Sequence, residues 1–168
     1  MQVSYPPQRY TPKLADTLTC SKTSTMKLIP FMISITAVFT SASSVRVGYA
    51  YVYDVPTFSL GAVACSDGKN GLTTKGFTSF DSLLTFPRIG GASAIEGYNS
   101  TSCGSCWKLS YTRSDNTTTT IYITAIDHAD DGFILGEGAL KLLGGQEAVD
   151  AGHIQAEATR VDRSQCGF

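Results

Sequence analysis

Ser102-Cys103-Gly104-Ser105-Cys106-Trp107-Lys108 is the stretch on which the fold turns. It holds two of the five cysteines and the single tryptophan. Cys65 stands upstream, Cys166 lies close to the last residue, Phe168, and Cys20 is the fifth. Thiols two residues apart serve metal ligation, redox exchange, nucleophilic catalysis or structural bridging. A structural zinc site takes four ligands, and no second Cys or His pair stands at finger spacing to complete one. A thioredoxin-like pair opens a helix after a strand, whereas a strand-like segment, Trp107-Lys108-Leu109-Ser110-Tyr111, follows this one. Cys103-Gly104-Ser105-Cys106-Trp107 matches the signature around a papain-type nucleophile. That mechanism takes a histidine and an asparagine on the order of 130 residues further on, and only residues 107–168 follow, with His128 and His153 too near. Structural disulfides remain. Cysteines this close in a strand rarely meet bridge geometry with each other, so Cys103 and Cys106 are expected to cross-pair with Cys65 and Cys166.

Stable disulfides fit an oxidising compartment, and the N-terminal region supplies an address. Met26-Lys27 opens an apolar run from Leu28 to Phe39, followed by the small residues Thr40 to Ser44. A basic start, an apolar centre and a small-residue exit describe a secretory signal peptide over residues 26–44. The run is short of the roughly 20 residues of a membrane span. Residues 1–25 are polar, with Pro6, Pro7 and Pro12. They read as a disordered extension, or as a non-native stretch ahead of a true start at Met26. The folded domain is expected over 45–168. It keeps four cysteines, an even number in a small secreted domain, and discards Cys20. Its nine Lys/Arg against thirteen Asp/Glu give a net charge of −4, which leaves no basic footprint for nucleic acid. Asn99-Ser100-Thr101 and Asn116-Thr117-Thr118 are candidate N-glycosylation sequons.

Alternation of period two runs from Val45 to Tyr53 and predicts a strand with Val45, Val47, Tyr49, Tyr51 and Tyr53 on one face. Ser59 to Cys65 reads as a short buried strand or loop, and Ser66-Asp67-Gly68-Lys69-Asn70-Gly71 as a turn. A short helix is expected over Thr78–Phe86, with Ser79 as its cap and Pro87 as its stop. Gly90-Gly91 is read as a break before a short strand at Ala94–Tyr98. Trp107–Tyr111 and Thr118–Ile126 form a hairpin over the polar tip Arg113–Asn116. Ala139–Leu143 and Gln146–Ala151 read as short helices, and His153–Val161 as the last strand. Some six strands and two or three short helices predict a small closed β-barrel.

Asp127-His128-Ala129-Asp130-Asp131-Gly132 is the most acidic loop. Asp130 and Asp131 read as a solvated turn. Asp127 follows a strand directly, where a side chain can be held for function. Glycoside hydrolysis takes two carboxyls at a set separation, which a sequence does not provide. The tyrosines of the first strand and Trp107 read as barrel core, with Trp107 near the disulfides.

Taken in order, Val45-Arg46-Val47-Gly48-Tyr49, Val63-Ala64-Cys65-Ser66-Asp67-Gly68, Gly71-Leu72, Phe86-Pro87-x-Ile89-Gly90-Gly91, Cys103-Gly104-Ser105-Cys106-Trp107, Ile126-Asp127 and Gly132-Phe133 resemble the cerato-platanin family of small secreted fungal proteins. The resemblance covers essentially all of 45–168. It implies a six-stranded double-psi β-barrel and the pairings Cys65–Cys103 and Cys106–Cys166. It also implies a non-hydrolytic wall protein that binds N-acetylglucosamine oligomers, loosens cellulose weakly in the manner of expansins, and acts on plants as an elicitor or effector. Asp127 matches the family's groove aspartate. Where the family often has Asp after Tyr49 this chain has Ala50, with Asp54 the nearby acid. Ile134 stands where a polar asparagine is usual.

The expected binding groove therefore holds Asp127, Ser66, Asp67, Gly68, Gly132, Tyr49 and Asp54. Its expected partners are chitin-type or other β-1,4-linked glucans, with a plant receptor and self-assembly at surfaces as further partners. No catalytic residue, cofactor or metal is expected. The competing readings are a weak endoglucanase with Asp127 as general acid, and a surface-assembling or receptor-recognised protein with no sugar-dependent role.

Overall fold

Six strands close a barrel in the computed structural model, which describes residues 43–168. They are β1 (Ser43–Tyr49), β2 (Ile89–Ala92), β3 (Ser105–Thr112), β4 (Thr118–His128), β5 (Phe133–Leu135) and β6 (His153–Val161). Helices α1 (Glu137–Gly144) and α2 (Gln146–Asp150) connect β5 to β6. The order around the barrel is β1-β5-β2-β4-β3-β6. β1–β5 and β2–β4 run parallel, and the other four neighbours antiparallel. Closure leaves no strand edge open to pairing with another chain. The expectations for residues 1–25 and for the basic start and apolar centre of the leader lie outside the described residues. Ser43 and Ser44, at its expected end, pair with Ala158 and Glu157.

The hairpin forms where the sequence predicts it. Ser105–Thr112 pairs with Thr118–Ala125 without a register shift. Leu109, Ile121 and Ile123 face inward, while Ser110–Thr120 and Thr112–Thr118 join hydroxyls across the outer face at 2.9 Å each. Leu60, Leu72, Phe80, Ile95, Ile126 and Leu135 fill the core with no exposed surface, and α1 adds Leu140 and Leu143. Cys65 is bonded to Cys103 and Cys106 to Cys166, with Cα–Cα separations of 5.3 and 5.7 Å. Trp107 is half-buried and packs edge-on against Phe133 at 5.3 Å, its indole N–H donating to Ser105 Oγ.

Four expectations are corrected. β1 ends at Tyr49, and Tyr51–Asp54 winds into a 3-10 turn. Tyr53 therefore turns inward while Tyr51 stands 66 % exposed, and the two do not extend one strand face. Over Thr78–Phe86 only Phe80–Ser82 is helical, a single 3-10 turn closed by a Ser79/Ser82 capping box. Gly90-Gly91 is not a break but the middle of β2, and Ala94–Tyr98 forms turns rather than a strand. β2 is wedged between β4 and β5 so tightly that a Cβ on Gly90 would lie 2.1 Å from the Ile134 carbonyl oxygen. The glycines answer that close approach rather than a turn. β5, only three residues long, gave no periodic signal.

Candidate ligand-binding site

Asp127, the penultimate residue of β4, is held from three directions. Its Oδ1 accepts from the backbone N–H groups of Ala64 and His128, each at 2.9 Å, and its Oδ2 from the Tyr53 hydroxyl at 3.1 Å. The 3-10 turn after β1 delivers Tyr53, 5 % exposed, which stacks on Phe80 at 6.0 Å. Burial pushes the Tyr53 phenol well above its ordinary value, and the Asp127 charge and hydrogen bond push the same way.

Tyr53 and His128 both line an open hollow of about 400 Å³. Ala50, Val52, Ala129 and Ile134 give it an apolar floor, and Arg46, His128, Asp130 and Asp131 a charged rim. The His128 ring bridges the Ile95 carbonyl oxygen and Asp130 Oδ1, the latter at 3.2 Å. Its pKa is raised, first by the Ile95 carbonyl and next by Asp130, with desolvation opposing. Ile134 belongs to this floor, so the position where the resemblance implies a polar asparagine is apolar.

The expected site residues fall into separate groups. Ser66-Asp67-Gly68 leaves the Asp127 neighbourhood just past Ala64, and Thr73 fixes it through two bonds to the Ser66 carbonyl. The nearby Asp67 carboxylate raises the pKa of the exposed Tyr98 phenol. Tyr49 lies edge-on to Tyr51 with centroids 5.5 Å apart, beside the hollow. Gly132 is buried under β1; at φ 53 its Cβ would meet the Arg46 carbonyl oxygen at 2.0 Å, so only glycine fits. Asp54 is taken up elsewhere. Its two oxygens accept from the Glu137 and Gly138 N–H groups at 2.6 and 3.1 Å, and so cap the start of α1. Residue-level reading assigned no site role to Arg46 or Tyr98 and read Tyr51 as barrel core, because the alternation around it has the period of a strand. Among the described residues no three His, Cys, Asp or Glu side chains are grouped to hold a metal ion.

The cerato-platanin family model matches residues 45–168, which hold all of this barrel but the first two residues of β1. The chain belongs to the cerato-platanin family. Cerato-platanin from Ceratocystis fimbriata f. sp. platani is 33 % identical over 79 % of this chain and 94 % of its own length. Allergen Asp f 15 of Aspergillus fumigatus is 43 % identical over 74 % of this chain and 78 % of its own. Among solved structures, cerato-platanin 2 of M. perniciosa superposes with a TM-score of 0.72 at 40 % identity, covering 75 % of this chain and all of that one. The solution structure of the fungal elicitor cerato-platanin superposes at 0.60 and 32 % identity, covering 72 % of this chain and 95 % of that one. The closed six-stranded mixed barrel with two helices and two disulfides is thus the cerato-platanin, double-psi arrangement.

Proposed function

We propose that this cerato-platanin is an extracellular, non-catalytic protein that binds β-1,4-linked wall oligosaccharides of the N-acetylglucosamine type. The observation that carries the reading is the placement of Asp127. It is fixed by Tyr53, which lines a hollow with an apolar floor and charged rim, and by the backbone of Ala64, just ahead of the Ser66-Asp67-Gly68 turn. A pyranose offers an apolar ring face and a belt of hydroxyl and amide groups. Fixed carboxylates, an arginine and exposed rings are the groups that recognise both. An oligomer would run from the hollow across Asp127 toward Tyr98, with Tyr51 at the near end as a second ring. Asp54 and Gly132 drop out of the contact set. The first caps α1, and the second is covered by β1.

Both oxygens of Asp127 already accept hydrogen bonds from N–H and O–H donors. A general acid must carry a proton on one of them, which argues for binding over hydrolysis. The elicitor named among the similar structures supports a role in provoking plant defence, and expansin-like loosening of walls would follow from binding without cleavage.

The test is an NMR titration with N-acetylglucosamine oligomers. Shifts in the amides of Ala64, His128 and Ala129 are expected, and their absence at saturating ligand would overturn the binding reading. Release of new reducing ends from those oligomers, lost in Asp127→Ala, would establish the hydrolase instead. A defence response in leaf tissue that persists in a variant unable to bind sugar would separate elicitation from the groove.

A further inference from the structure

Two sequons lie on this surface, and the fold treats their asparagines in opposite ways. Asn99 is locked. Its Oδ1 accepts from the Asn70 N–H at 2.9 Å, and its carbonyl accepts from Asn70 Nδ2 at 2.8 Å. The 66–70 turn closes against its amide so tightly that a Cβ on Gly68 would sit 2.8 Å from Asn99 Oδ1 and 2.9 Å from its Cγ. Asn116 is presented. It stands exposed at the apex of the β3–β4 hairpin with φ 64. Asp115 Oδ1 fixes that apex by accepting from the backbone N–H and the hydroxyl of Thr117. The Asn116 side chain makes no hydrogen bond among the described residues. An open hollow of about 530 Å³, lined by Arg113, Ser114, Asp115 and the Gly144–Glu147 turn, adjoins the tip.

We infer that the secreted protein carries a single N-linked glycan, on Asn116 and not on Asn99. Transfer acts on the unfolded chain, so the fold decides which glycosylated chain can complete its packing. A sugar on Asn99 would branch from the same amide whose Oδ1 and Cγ press against the Gly68–Asn70 turn, so it crowds a packed contact. A sugar on Asn116 starts in solvent. β4 runs from the hairpin tip to His128 as one 11-residue strand, so at about 3.3 Å per residue the glycan lies on the order of 30 Å from Asp127. It would shield the hairpin end of the barrel and leave the opposite end open. The inference rests on passage through the secretory route and is independent of any sugar held at Asp127.

The full chain is expressed in a yeast, and the protein in the medium is treated with an amidase that converts glycosylated Asn to Asp in heavy-oxygen water. Peptide mass mapping is expected to mark Asn116 alone. Asn116→Gln should abolish the mobility shift on deglycosylation and leave the thermal midpoint unchanged. Asn99→Gln should retain the shift and melt lower, because the Asn70 lock is lost. A label on Asn99, or an unlabelled Asn116 in the folded secreted protein, would overturn the inference. The wild-type map decides this even where Asn99→Gln fails to be secreted.

Discussion

At Asp127 the carboxylate that we propose for sugar recognition also holds the fold together. Truncation to alanine strips the partner from the buried Tyr53 hydroxyl and the Ala64 N–H. Unsatisfied buried donors cost about 1–3 kcal/mol, so the urea midpoint of Asp127→Ala should fall along with oligosaccharide affinity. Tyr53→Phe removes a single bond and should cost about 1 kcal/mol by the same measurement. It also has a pH signature. Because the folded phenol holds its proton beyond the ordinary value of about 10, the unfolded chain releases it first. The contribution of Tyr53 is therefore whole below about pH 10 and is lost as the pH climbs through the folded value. Wild type should lose more stability between pH 8 and 10.5 than Tyr53→Phe does, and equal losses would contradict the assignment. His128 shows the same sense at lower pH. Its raised pKa places its contribution below the ordinary imidazole value of about 6.5, to be lost above it. An NMR titration should give a midpoint above that value. Asp130→Asn should bring it only part of the way back, since the Ile95 carbonyl stays in place.

Among the elements, α1 depends on a residue far from it in sequence. Gly136 precedes the helix and offers no side chain to its first N–H groups. Asp54, on the 3-10 turn after β1, supplies the acceptors instead. A helix start without its cap loses about 0.5–2 kcal/mol, so Asp54→Ala should lower the thermal midpoint while sugar titration at Asp127 is retained. Loss of binding with stability intact would return Asp54 to the groove. Gly132 is the harsher case, since any side chain there drives into the β1 backbone. Gly132→Ala should disrupt the β1–β5 pairing and reduce the yield of folded protein far more than Asp54→Ala.

The whole molecule is cross-linked from its middle outward. The bridges close spans of 38 and 60 residues, and both start within the stretch from Cys103 to Cys106. Chain-entropy estimates for loops of this size give about 4 kcal/mol each, a large share of the 5–15 kcal/mol that holds an ordinary domain. Replacing Cys106 and Cys166 together by alanine should shift the denaturation midpoint strongly downward, and a midpoint within a few degrees of wild type would show that barrel closure suffices alone. The second bridge ties the C-terminal 3-10 turn (Arg163–Cys166) to β3, and the Arg163 guanidinium reinforces it by donating to the Cys103 carbonyl.

The sequence by itself determined what depends on neighbours along the chain. The β3–β4 hairpin with its polar tip, the last strand, the two helices after Gly136 and the structural use of the cysteines follow from period, turn chemistry and partner count. The ordered motifs added the family, and with it the disulfide pairing. Only the tertiary structure decided what depends on close approach between distant segments. It put Gly90-Gly91 in the middle of a wedged strand and Tyr51 in solvent while Tyr53 went inward. It sent Asp54 to a helix 83 residues away and separated a locked Asn99 from a presented Asn116. The physical reason is common to all of these. Periodicity reports which face of an element is apolar, but which carbonyl, carboxylate or turn presses on a residue is set when the barrel closes.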